Sequence, residues 1–324
     1  MGQGISGTCF AWRTYFGKQS FRIIDRENKY SASKASLGIY NPITGRKFNV
    51  TWNVDKLFSE LKYFYKKVEN KLNKKLLFEK NIYRPFKSDI DINDWNIRLS
   101  SSKYLKFCEF INDDGILTNN SGHLNVKKFL LSSKKYFNNL GRYRSEVFDE
   151  NKLKINENNF SYKNEEFKYI IMCTGISEKK LNLFNEIKLN AVSGNSIIIS
   201  SRIENNNIIN KGINVLPIKK NIYHIGSTYY HSSEDEGPDE LMNKTKNLIK
   251  DDIKLINSRF GIRATSKDRR PVVGEHNKIK RLFIMNAMGS KGVSQAPYCS
   301  EKLFNYINEN KNLDKEINID RYRS

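Results

Sequence analysis

The sequence has few residues of the kinds that form disulfides or bind metals. Its 324 residues include four cysteines and four histidines. Cys9, Cys108, Cys173 and Cys299 are far apart and form no C-x-x-C pair, which excludes a disulfide framework and the usual cysteine-based metal sites. Because Cys9 and Cys173 fall in segments that we expect to be core elements, we predict buried, reduced thiols and no metal site.

Long apolar runs are also absent from the sequence. No run approaches the roughly 20 residues of a membrane-spanning helix, and we recognise no signal peptide. We therefore expect a soluble, cytoplasmic protein. Hydrophobic residues make up 38% of the chain and aromatic residues 12%, which is typical of a globular protein rather than a disordered one. The length is sufficient for two domains with cores of their own.

Acidic residues are few relative to basic ones. The chain has 35 Asp and Glu residues against 56 Lys and Arg residues, which gives a net charge of +21 at pH 7. Such a charge suits a nucleic-acid partner. The chain is also rich in Asn and Ile, which share AT-rich codons with Lys, and its lysines are spread along the sequence. We therefore favour codon bias over a functional basic patch, and nucleic acid is a possible but less favoured partner.

Three glycines near the start have the spacing of a dinucleotide-binding turn. Gly2, Gly4 and Gly7 form G-x-G-x-x-G, and Asp25 follows at about the 20-residue distance of the acidic residue that binds a ribose. The first glycine permits a tight turn, the second lets the backbone approach a pyrophosphate, and the third lets the next helix pack closely. We predict this helix over 8–16. Its N-terminus would offer free N–H groups to the phosphates.

The strand that should precede this turn is missing. A buried parallel strand of about 5–6 residues normally comes before the first glycine, and here only Met1 does. Such a strand is normally central in its sheet, so its loss would expose the edges of both neighbours. Because the rest of the sequence is coherent, we expect the true start to lie upstream of Met1. A damaged copy of the gene is the alternative.

Hydrophobic periodicity organises the remainder of the chain. Helical spacing predicts helices over 54–72, 125–139, 239–258 and 296–309, and strand-like patterns fill 76–120 and 190–230. Strand-rich blocks thus alternate twice with Rossmann-like blocks, which predicts an α/β fold of two interleaved, discontinuous domains. We assign residues 1–50, 121–185 and 261–324 to the cofactor domain, and 51–120 and 186–260 to a mainly antiparallel β-sheet substrate domain.

Four motifs follow one another along nearly the whole chain. They are the glycine turn with Asp25, the small-residue segment ending at Gly38, the triplet 173–175, and a C-terminal block. Within that block, residues 261–274 look like the pattern G-x-R-P-x-T-x-D-x-x-P-x-x-G, and 288–293 form a glycine turn. Together these motifs resemble the flavin-dependent oxidase family that includes D-amino-acid oxidase, glycine oxidase and sarcosine oxidase.

The resemblance implies a Rossmann-like FAD-binding domain of the glutathione-reductase-like flavoprotein fold. Ala264 replaces a proline and Ser266 a threonine of the family pattern, and both changes affect loop rigidity more than chemistry. The missing first strand is the larger departure, because it bears on cofactor binding. The residues that we expect to contact FAD are Gly2, Gly4, Ile5, Ser6, Gly7, Asp25, Arg26, Ser33, Gly38, Thr174, Gly175, Gly289, Ser290, Lys291 and Gly292.

The resemblance also implies a chemistry. In this family the flavin takes a hydride from the carbon next to an amine, the resulting imine hydrolyses, and oxygen usually reoxidises the flavin. A small amine or amino acid is thus the expected substrate, oxygen the expected electron acceptor, and no general base is required for a neutral amine. The protein mainly positions the substrate and tunes the cofactor.

Three residues are the expected catalytic set. Arg263 matches the family arginine that pairs with a substrate carboxylate, a contact that suits the guanidinium fork; a surface arginine is the alternative. Lys291 would lie near the pyrimidine edge of the flavin, where a cation stabilises negative charge on the reduced ring; a solvated lysine is equally compatible. Tyr229 and Tyr230 follow a strand end. One of the two tyrosines contacts the substrate, and we choose Tyr229 for this role. The alternative is that both pack in the core.

Two other functions remain open from the sequence. A related flavin domain oxidises a carboxymethylaminomethyl group on a transfer-RNA wobble uridine, and the basic charge would suit RNA. A single basic face at the mouth of the site would favour that function. The other possibility is a non-catalytic remnant of the same fold that no longer holds flavin.

Overall fold

The computed structural model describes residues 1–323 except 46, 47, 87, 112, 113, 182, 204, 205, 232 and 233. Its α-helices are α1 (Ile5–Phe16), α2 (Ala32–Ala35), α3 (Val54–Leu72), α4 (Asp89–Leu99), α5 (Ser102–Leu105), α6 (Val126–Asn139), α7 (Asp239–Leu248) and α8 (Gly292–Glu309). No helix in these described ranges is both long and apolar enough to cross a membrane.

The strands of the first half of the chain are short, and they are β1 (Ile23–Asp25), β2 (Ile39–Tyr40), β3 (Ile43–Thr44), β4 (Asn49–Val50), β5 (Leu77–Glu79), β6 (Ile82–Pro85), β7 (Cys108–Ile111), β8 (Gly115–Thr118), β9 (Gly122–Leu124) and β10 (Tyr143–Ser145). The later strands are β11 (Leu153–Ile155), β12 (Phe160–Tyr162), β13 (Glu165–Phe167), β14 (Ile170–Met172), β15 (Asn190–Ser200), β16 (Ile208–Lys211), β17 (Ile213–Lys219), β18 (Ile222–Gly226), β19 (Lys254–Thr265), β20 (Val272–Glu275) and β21 (Leu282–Asn286).

A mixed eight-stranded sheet forms one side of the molecule. Its order is β19-β15-β18-β17-β16-β6-β8-β7, and its pairs are antiparallel except β16 with β6. The longest pairing joins β15 to β19, from Asn190 opposite Thr265 to Ser200 opposite Lys254. Ile197, Ile199 and Ile225 are buried in a cluster beside α7, as expected for alternate residues on one face of a strand.

The other side of the molecule is built from small sheets covered by helices, in which the pair of β20 with β21 is antiparallel. Strands β1 and β10 pair in parallel, and a second sheet has the order β14-β21-β20. Helices α1, α3, α6 and α8 contribute to one large core cluster around these strands. Trp12 of α1 is fully buried there, and its indole N–H donates to Ser133 Oγ of α6 at 2.8 Å. The hydrogen bond satisfies the polar atom of an otherwise apolar side chain.

The chain start lies between these two small sheets. The Met1 amine donates to the Ile171 carbonyl at 2.8 Å, and the Met1 carbonyl accepts from the Cys173 N–H at 2.9 Å. On the other side, the Gly2 N–H donates to the Ile24 carbonyl at 2.8 Å. Met1 and Gly2 therefore hydrogen-bond to both β14 and β1, and they place the following glycine turn at the carboxyl ends of these strands.

The structure confirms some of the predicted elements and corrects others. The helix predicted over 54–72 has those bounds, and the four cysteines are buried free thiols. The helix predicted over 239–258 ends at Leu248, because the chain from Lys254 pairs with β15 instead. The block 76–120, which the sequence assigns to strands, also contains α4 and α5. In both cases pairing or packing with distant segments outweighs the local pattern.

Candidate functional site

A cavity of about 470 Å³ lies between the glycine turn, helix α2 and the eight-stranded sheet. Most of the residues selected from the sequence line it. They are Gly2, Gly4, Ile5, Ser6, Asp25, Arg26, Ser33, Gly38, Thr174, Gly175, Tyr229, Arg263, Gly289, Ser290 and Gly292. The structure thus brings together four motifs that are separated by up to 290 residues of sequence. Gly7 and Lys291 are not among the residues of the cavity wall.

The glycine turn is too tightly packed for side chains at two of its positions. Gly2 has a φ of +88°, and a Cβ there would lie 2.5 Å from the Cys173 carbonyl oxygen. A Cβ on Gly7 would lie 1.9 Å from the Gly2 carbonyl oxygen. Gly7 therefore allows α1 to approach the turn and acts behind the cavity wall rather than on it.

The N-terminus of α1 opens into the cavity. Gly4 is the N-cap residue, and the Ile5 N–H donates to Ser33 Oγ of α2 at 3.0 Å. The helix has 12 residues and carries no acidic side chain in its first turn, so the positive end of its dipole is not neutralised locally. This end of the cavity suits a phosphate or pyrophosphate.

Asp25 ends β1 beside the same turn. Its Oδ1 accepts from the Gln3 N–H and its Oδ2 from the Glu27 N–H, both at 2.9 Å. Two backbone N–H groups therefore fix the carboxylate at the wall. Because each carboxylate oxygen accepts more than one hydrogen bond, lone pairs remain for a pair of ribose hydroxyls.

Thr174 and Gly175 form the opposite edge of this part of the cavity. Gly175 has a φ of +59°, and its carbonyl accepts from Asn286 Nδ2 at 3.0 Å. The Thr174 hydroxyl donates to Glu178 Oε2. Burial is the main cause that raises the pKa of Glu178, to about 7. The hydroxyl of Thr174 is thus engaged by a buried carboxyl, and the backbone of 174–175 faces the cavity.

The C-terminal glycine turn brings its backbone to the wall but not its lysine. The Gly289 N–H donates to the Ala264 carbonyl at 3.1 Å, which ties the turn to β19. Lys291 lies outside the wall, and its pKa is lowered by burial and by the charges of Arg270 and Arg269. The Lys291 side chain therefore lies in a positively charged region beside the turn, together with Arg269 and Arg270.

Arg263 of β19 lies in the cavity wall. Its Nη1 donates to the carbonyls of Ser193 at 3.1 Å and Thr228 at 3.4 Å, and its Nη2 donates to Ser227 Oγ at 2.8 Å. Burial lowers its pKa, although guanidinium groups stay charged at neutral pH. One edge of the guanidinium is fixed by neutral acceptors, so its charge remains available to an anion.

The two tyrosines that follow the strand end have different surroundings. Tyr229 lines the cavity and is 59% exposed, with the Arg263 guanidinium 4.4 Å from its ring centroid. Tyr230 points elsewhere, because its hydroxyl donates to Glu240 Oε2 of α7. Packing in the core, which the sequence left open for both, does not occur at Tyr229.

Sequence reasoning missed three polar residues of the cavity wall. Asn195, Asn214 and Ser227 line it. Asn195 is 1% exposed, and its Oδ1 has no hydrogen-bond partner among the described residues. Asn195 could have been found from the sequence, because the polar run 193–196 interrupts an otherwise apolar strand. For Ser227 there was no such signal, because its contact with Arg263 depends on β18 and β19 both pairing with β15.

Comparison with known families identifies the chain. Residues 1–305 match the sequence model of the family described as FAD dependent oxidoreductase (DAO). The chain belongs to this family. Its cofactor is accordingly FAD, and it is a FAD-dependent oxidoreductase, as the sequence resemblance implied.

Solved structures of this DAO type share the fold with little sequence identity. Iminodiacetate oxidase from Chelativorans sp. BNC1 superimposes with a TM-score of 0.75 at 16% identity, covering 99% of this chain and 97% of that one. Glycine oxidase from Geobacillus kaustophilus gives 0.77 at 15% identity over 96% and 94%. L-amino acid deaminase from Proteus vulgaris gives 0.75 at 16% identity over 99% and 92%.

One curated protein shows a short match to the DAO-family chain. The tRNA 5-methylaminomethyl-2-thiouridine biosynthesis bifunctional protein MnmC of Psychrobacter cryohalolentis is 39% identical over 64 residues. The match covers 20% of this chain and 9% of that protein. The chain therefore corresponds to a small part of that relative.

The cavity of this oxidoreductase fits FAD on its own chemistry. The free N-terminus of α1 suits the pyrophosphate, and the fixed Asp25 carboxylate suits the adenosine ribose. The backbone turns at 174–175 and 289–290 both reach the cavity wall. Arg263 lines the same cavity.

Proposed function

We propose that the protein oxidises the C–N bond of an amino acid or another small amine. The observation that carries this proposal is Arg263, a guanidinium anchored by neutral acceptors at the wall of the cavity. A substrate carboxylate would form charge-assisted hydrogen bonds with its remaining N–H groups. Such a contact fixes the orientation of the carbon that bears the amine. The similarity to iminodiacetate oxidase and glycine oxidase supports this substrate class.

We assign the binding of FAD to the following residues. Gly2, Gly4, Ile5 and Ser6 would hold the pyrophosphate, with Gly7 packing behind them, and Asp25 and Arg26 would face the adenosine half. Ser33, Gly38, Thr174, Gly175, Gly289, Ser290 and Gly292 would provide the remaining wall. When bound, FAD supplies the hydride-accepting ring. Lys291 would add positive charge beside the turn 289–292, acting through the local field rather than by a contact.

On the substrate side, the residues would position the amine and limit water. Arg263 would hold the carboxylate, and Tyr229 would cover the guanidinium at the mouth. Asn195 offers a buried, unpartnered Oδ1 within the cavity wall, and an amine N–H is a suitable donor to it. A neutral amine needs no general base on this chain.

Ligand binding to the FAD-loaded protein tests the role of Arg263. We expect a small monocarboxylate to perturb the flavin absorption spectrum of the wild type and of Arg259→Lys, a control on the same strand away from the cavity wall. Arg263→Met should weaken this binding by about tenfold to a hundredfold, as expected for loss of a charged hydrogen bond worth ~1.5–3 kcal/mol. Equal affinity in the wild type and Arg263→Met would refute the assignment.

We further propose oxygen as the electron acceptor. The oxidases among the structural relatives support this choice. Turnover should consume oxygen and release hydrogen peroxide in equal amounts. Turnover that needs an artificial acceptor and consumes no oxygen would assign the protein to the dehydrogenases instead.

A second candidate is modification of a transfer RNA. The 64-residue match to MnmC and the net charge of +21 favour it. In that case the protein should bind transfer RNA with an affinity that falls steeply with salt, and an excess of transfer RNA should compete with small amines for flavin reduction. We favour the small substrate because the cavity wall is not uniformly basic. It also contains the acidic residues Glu146 and Asp25 and the neutral residue Asn195.

The domain division and the location are also proposals. We propose that 1–50, 121–185 and 261–324 form the FAD-binding domain and 51–120 and 186–260 the substrate domain. Strand β19 crosses the boundary at 260–261, because all of it, including Arg263, belongs to the eight-stranded sheet. We propose a cytoplasmic location, which the four buried free thiols support.

A further inference from the structure

Asn195 of β15 has a hydrogen-bond partner for each of its polar groups except one. Its backbone N–H donates to Thr228 Oγ1 at 2.8 Å, and its backbone carbonyl accepts from the Thr228 N–H at 3.3 Å. Its side-chain Nδ2 donates to Asp235 Oδ1 at 2.7 Å. The side-chain Oδ1 has no partner among the described residues, although Asn195 is 1% exposed and lines the cavity. Because buried polar atoms are rarely left without a hydrogen bond, this oxygen is the acceptor available to a ligand.

Asp235 determines which end of the Asn195 amide is the free one. A carboxylate accepts hydrogen bonds and donates none, so it pairs with the Nδ2 of an amide and repels its oxygen. Turning the amide over would place two acceptors side by side. The carboxylate is itself held in place, because Asp235 Oδ1 also accepts from the Gly237 N–H at 3.0 Å. Asp235 therefore fixes Nδ2 and leaves the Asn195 oxygen free.

This free oxygen belongs to the same part of the cavity wall as Arg263. Arg263 Nη1 donates to the Thr228 carbonyl at 3.4 Å, so Thr228 contacts both the guanidinium and Asn195. Gly194 precedes Asn195 in the strand, and a Cβ on it would lie 3.0 Å from Arg263 Nη1. A cation that suits a carboxylate and an acceptor that suits an N–H are thus held against the same two segments. In an α-amino acid a single carbon separates the carboxylate from the nitrogen.

We propose that Asp235 is a positioning residue that acts through Asn195, and that the pair selects ligands with an N–H on the nitrogen beside the carboxylate group. Primary and secondary amines meet this requirement, whereas a neutral tertiary amine has no N–H to donate. The selection rests on the proposed function, because Arg263 must first hold the carboxylate. Asn195 then distinguishes ligands by their nitrogen, and Asp235 keeps its amide in the required orientation.

Substitutions of Asp235 separate the orientation of the amide from the charge of the carboxylate. Asp235→Asn keeps a side-chain oxygen that accepts from Asn195 Nδ2 and from the Gly237 N–H, whereas Asp235→Leu has no acceptor. Asp235 is exposed and lies between β18 and α7, outside the regular elements, so both variants should fold. Glu236→Leu is the matched control, because it removes the neighbouring exposed carboxylate of the same segment.

The test uses pyrrole-2-carboxylate and 2-furoate, two ligands of nearly the same shape. The first has a ring N–H beside its carboxylate, and the second has a ring oxygen there. Calorimetric titration of the FAD-loaded protein gives the Kd of each. We expect the wild type and Glu236→Leu to bind pyrrole-2-carboxylate about tenfold more tightly, as for one hydrogen bond to a buried acceptor. Asp235→Leu should abolish this preference, and Asp235→Asn should keep it.

The ratio of the two Kd values separates positioning from structural damage, because a damaged site would weaken both ligands alike. Equal Kd values in the wild type would overturn the proposal, and so would an unchanged preference in Asp235→Leu. Loss of the preference in Asp235→Asn as well would assign the effect to the negative charge rather than to the orientation of the amide, which also contradicts the proposal.

A double variant tests whether Asp235 acts through Asn195. Asn195→Leu should abolish the preference by itself, and adding Asp235→Leu to it should not change the ratio of Kd values further. A further change of the ratio in the double variant would show that Asp235 acts on the ligand directly.

Failure of the proposed function has a different signature from failure of this selection. In that case neither ligand would bind the wild type, or Arg263→Met would bind both ligands as tightly as the wild type does. Either result would overturn the carboxylate contact and the selection with it. Equal, Arg263-dependent binding of the two ligands would overturn the selection alone.

Discussion

The Arg263 guanidinium lies 4.4 Å from the centre of the Tyr229 ring, at the solvent side of the cavity. The ring is 59% exposed, while Ser193, Thr228 and Ser227 hold the guanidinium from the protein side. The cation is thus placed between fixed neutral acceptors and an aromatic cover. This arrangement orients the charge without neutralising it.

Tyr229 should contribute to carboxylate binding through its ring. Tyr229→Leu should raise KM for a carboxylate substrate up to about fivefold, because an exposed cation–π contact is worth ~0.5–1 kcal/mol. Tyr229→Phe keeps the ring and should leave KM near the wild-type value. Steady-state kinetics of both variants, with Tyr230→Phe as a control, check this. Loss of affinity in the Phe variant would assign the role to the hydroxyl instead.

Asp25 should determine the affinity for FAD. Asp25→Asn removes the charge that accepts ribose hydroxyls and disturbs the contacts with Gln3 and Glu27. The Kd for FAD should rise about tenfold to a hundredfold, since hydrogen bonds to charged groups contribute ~1.5–3 kcal/mol. Fluorescence titration of apoprotein with FAD measures it. The exposed Asp55, paired with Lys106, gives a matched control, and a similar loss in Asp55→Asn would argue against a local effect.

Gly7 should be required for FAD binding because of close packing. The Cβ of Gly7→Ala would meet the Gly2 carbonyl at 1.9 Å, and such overpacking costs ~1–3 kcal/mol. Gly141→Ala is the control, because its φ is +65° but no atom lies within 4 Å of the added Cβ. Both variants should lose some stability in thermal unfolding. Only Gly7→Ala should lose flavin from the purified protein, and retention of flavin there would contradict the packing argument.

Glu178 should make the folded protein less stable as pH rises. Its pKa is raised from 4.5 to about 7, first by burial, so the folded state holds a proton that the unfolded state releases between these values. The free energy of unfolding should therefore fall across pH 4.5–7, by an amount on the order of 3 kcal/mol. Glu178→Gln should remove this decrease.

Denaturant unfolding at several pH values measures the difference between the wild type and Glu178→Gln. The comparison cancels the opposite contribution of His224, whose pKa is lowered to about 3 by burial. Glu79→Gln, at an exposed ion pair, should behave as the wild type. Parallel stability curves for the wild type and Glu178→Gln would show that Glu178 titrates normally.

Local features of the sequence predicted the glycine turn and several residues of the cavity wall. A glycine turn needs only neighbouring residues to form, so Gly2, Gly4 and Gly7 could be placed in one turn before the fold was known. The same holds for helix α3, whose apolar positions repeat with helical spacing. Such features depend on short-range geometry.

Features that depend on sheet pairing could not be predicted in the same way. Ser227 meets Arg263 because β18 and β19 both pair with β15, and no local pattern specifies that arrangement. The end of α7 at Leu248 reflects the same competition, since the following chain gains eleven residues of pairing with β15. Lys291 lies off the cavity wall, and the charges of Arg269 and Arg270 from another segment act on it, which no local pattern specifies.

The most direct test of the account is anaerobic reduction of the FAD-loaded protein by a panel of amino acids and small amines. We predict that at least one amino acid bleaches the flavin absorption in the wild type and in Arg259→Lys, and that Arg263→Met slows this bleaching. A flavin that dithionite reduces but that no amino acid or amine in the panel reduces would contradict the proposed oxidation of a C–N bond.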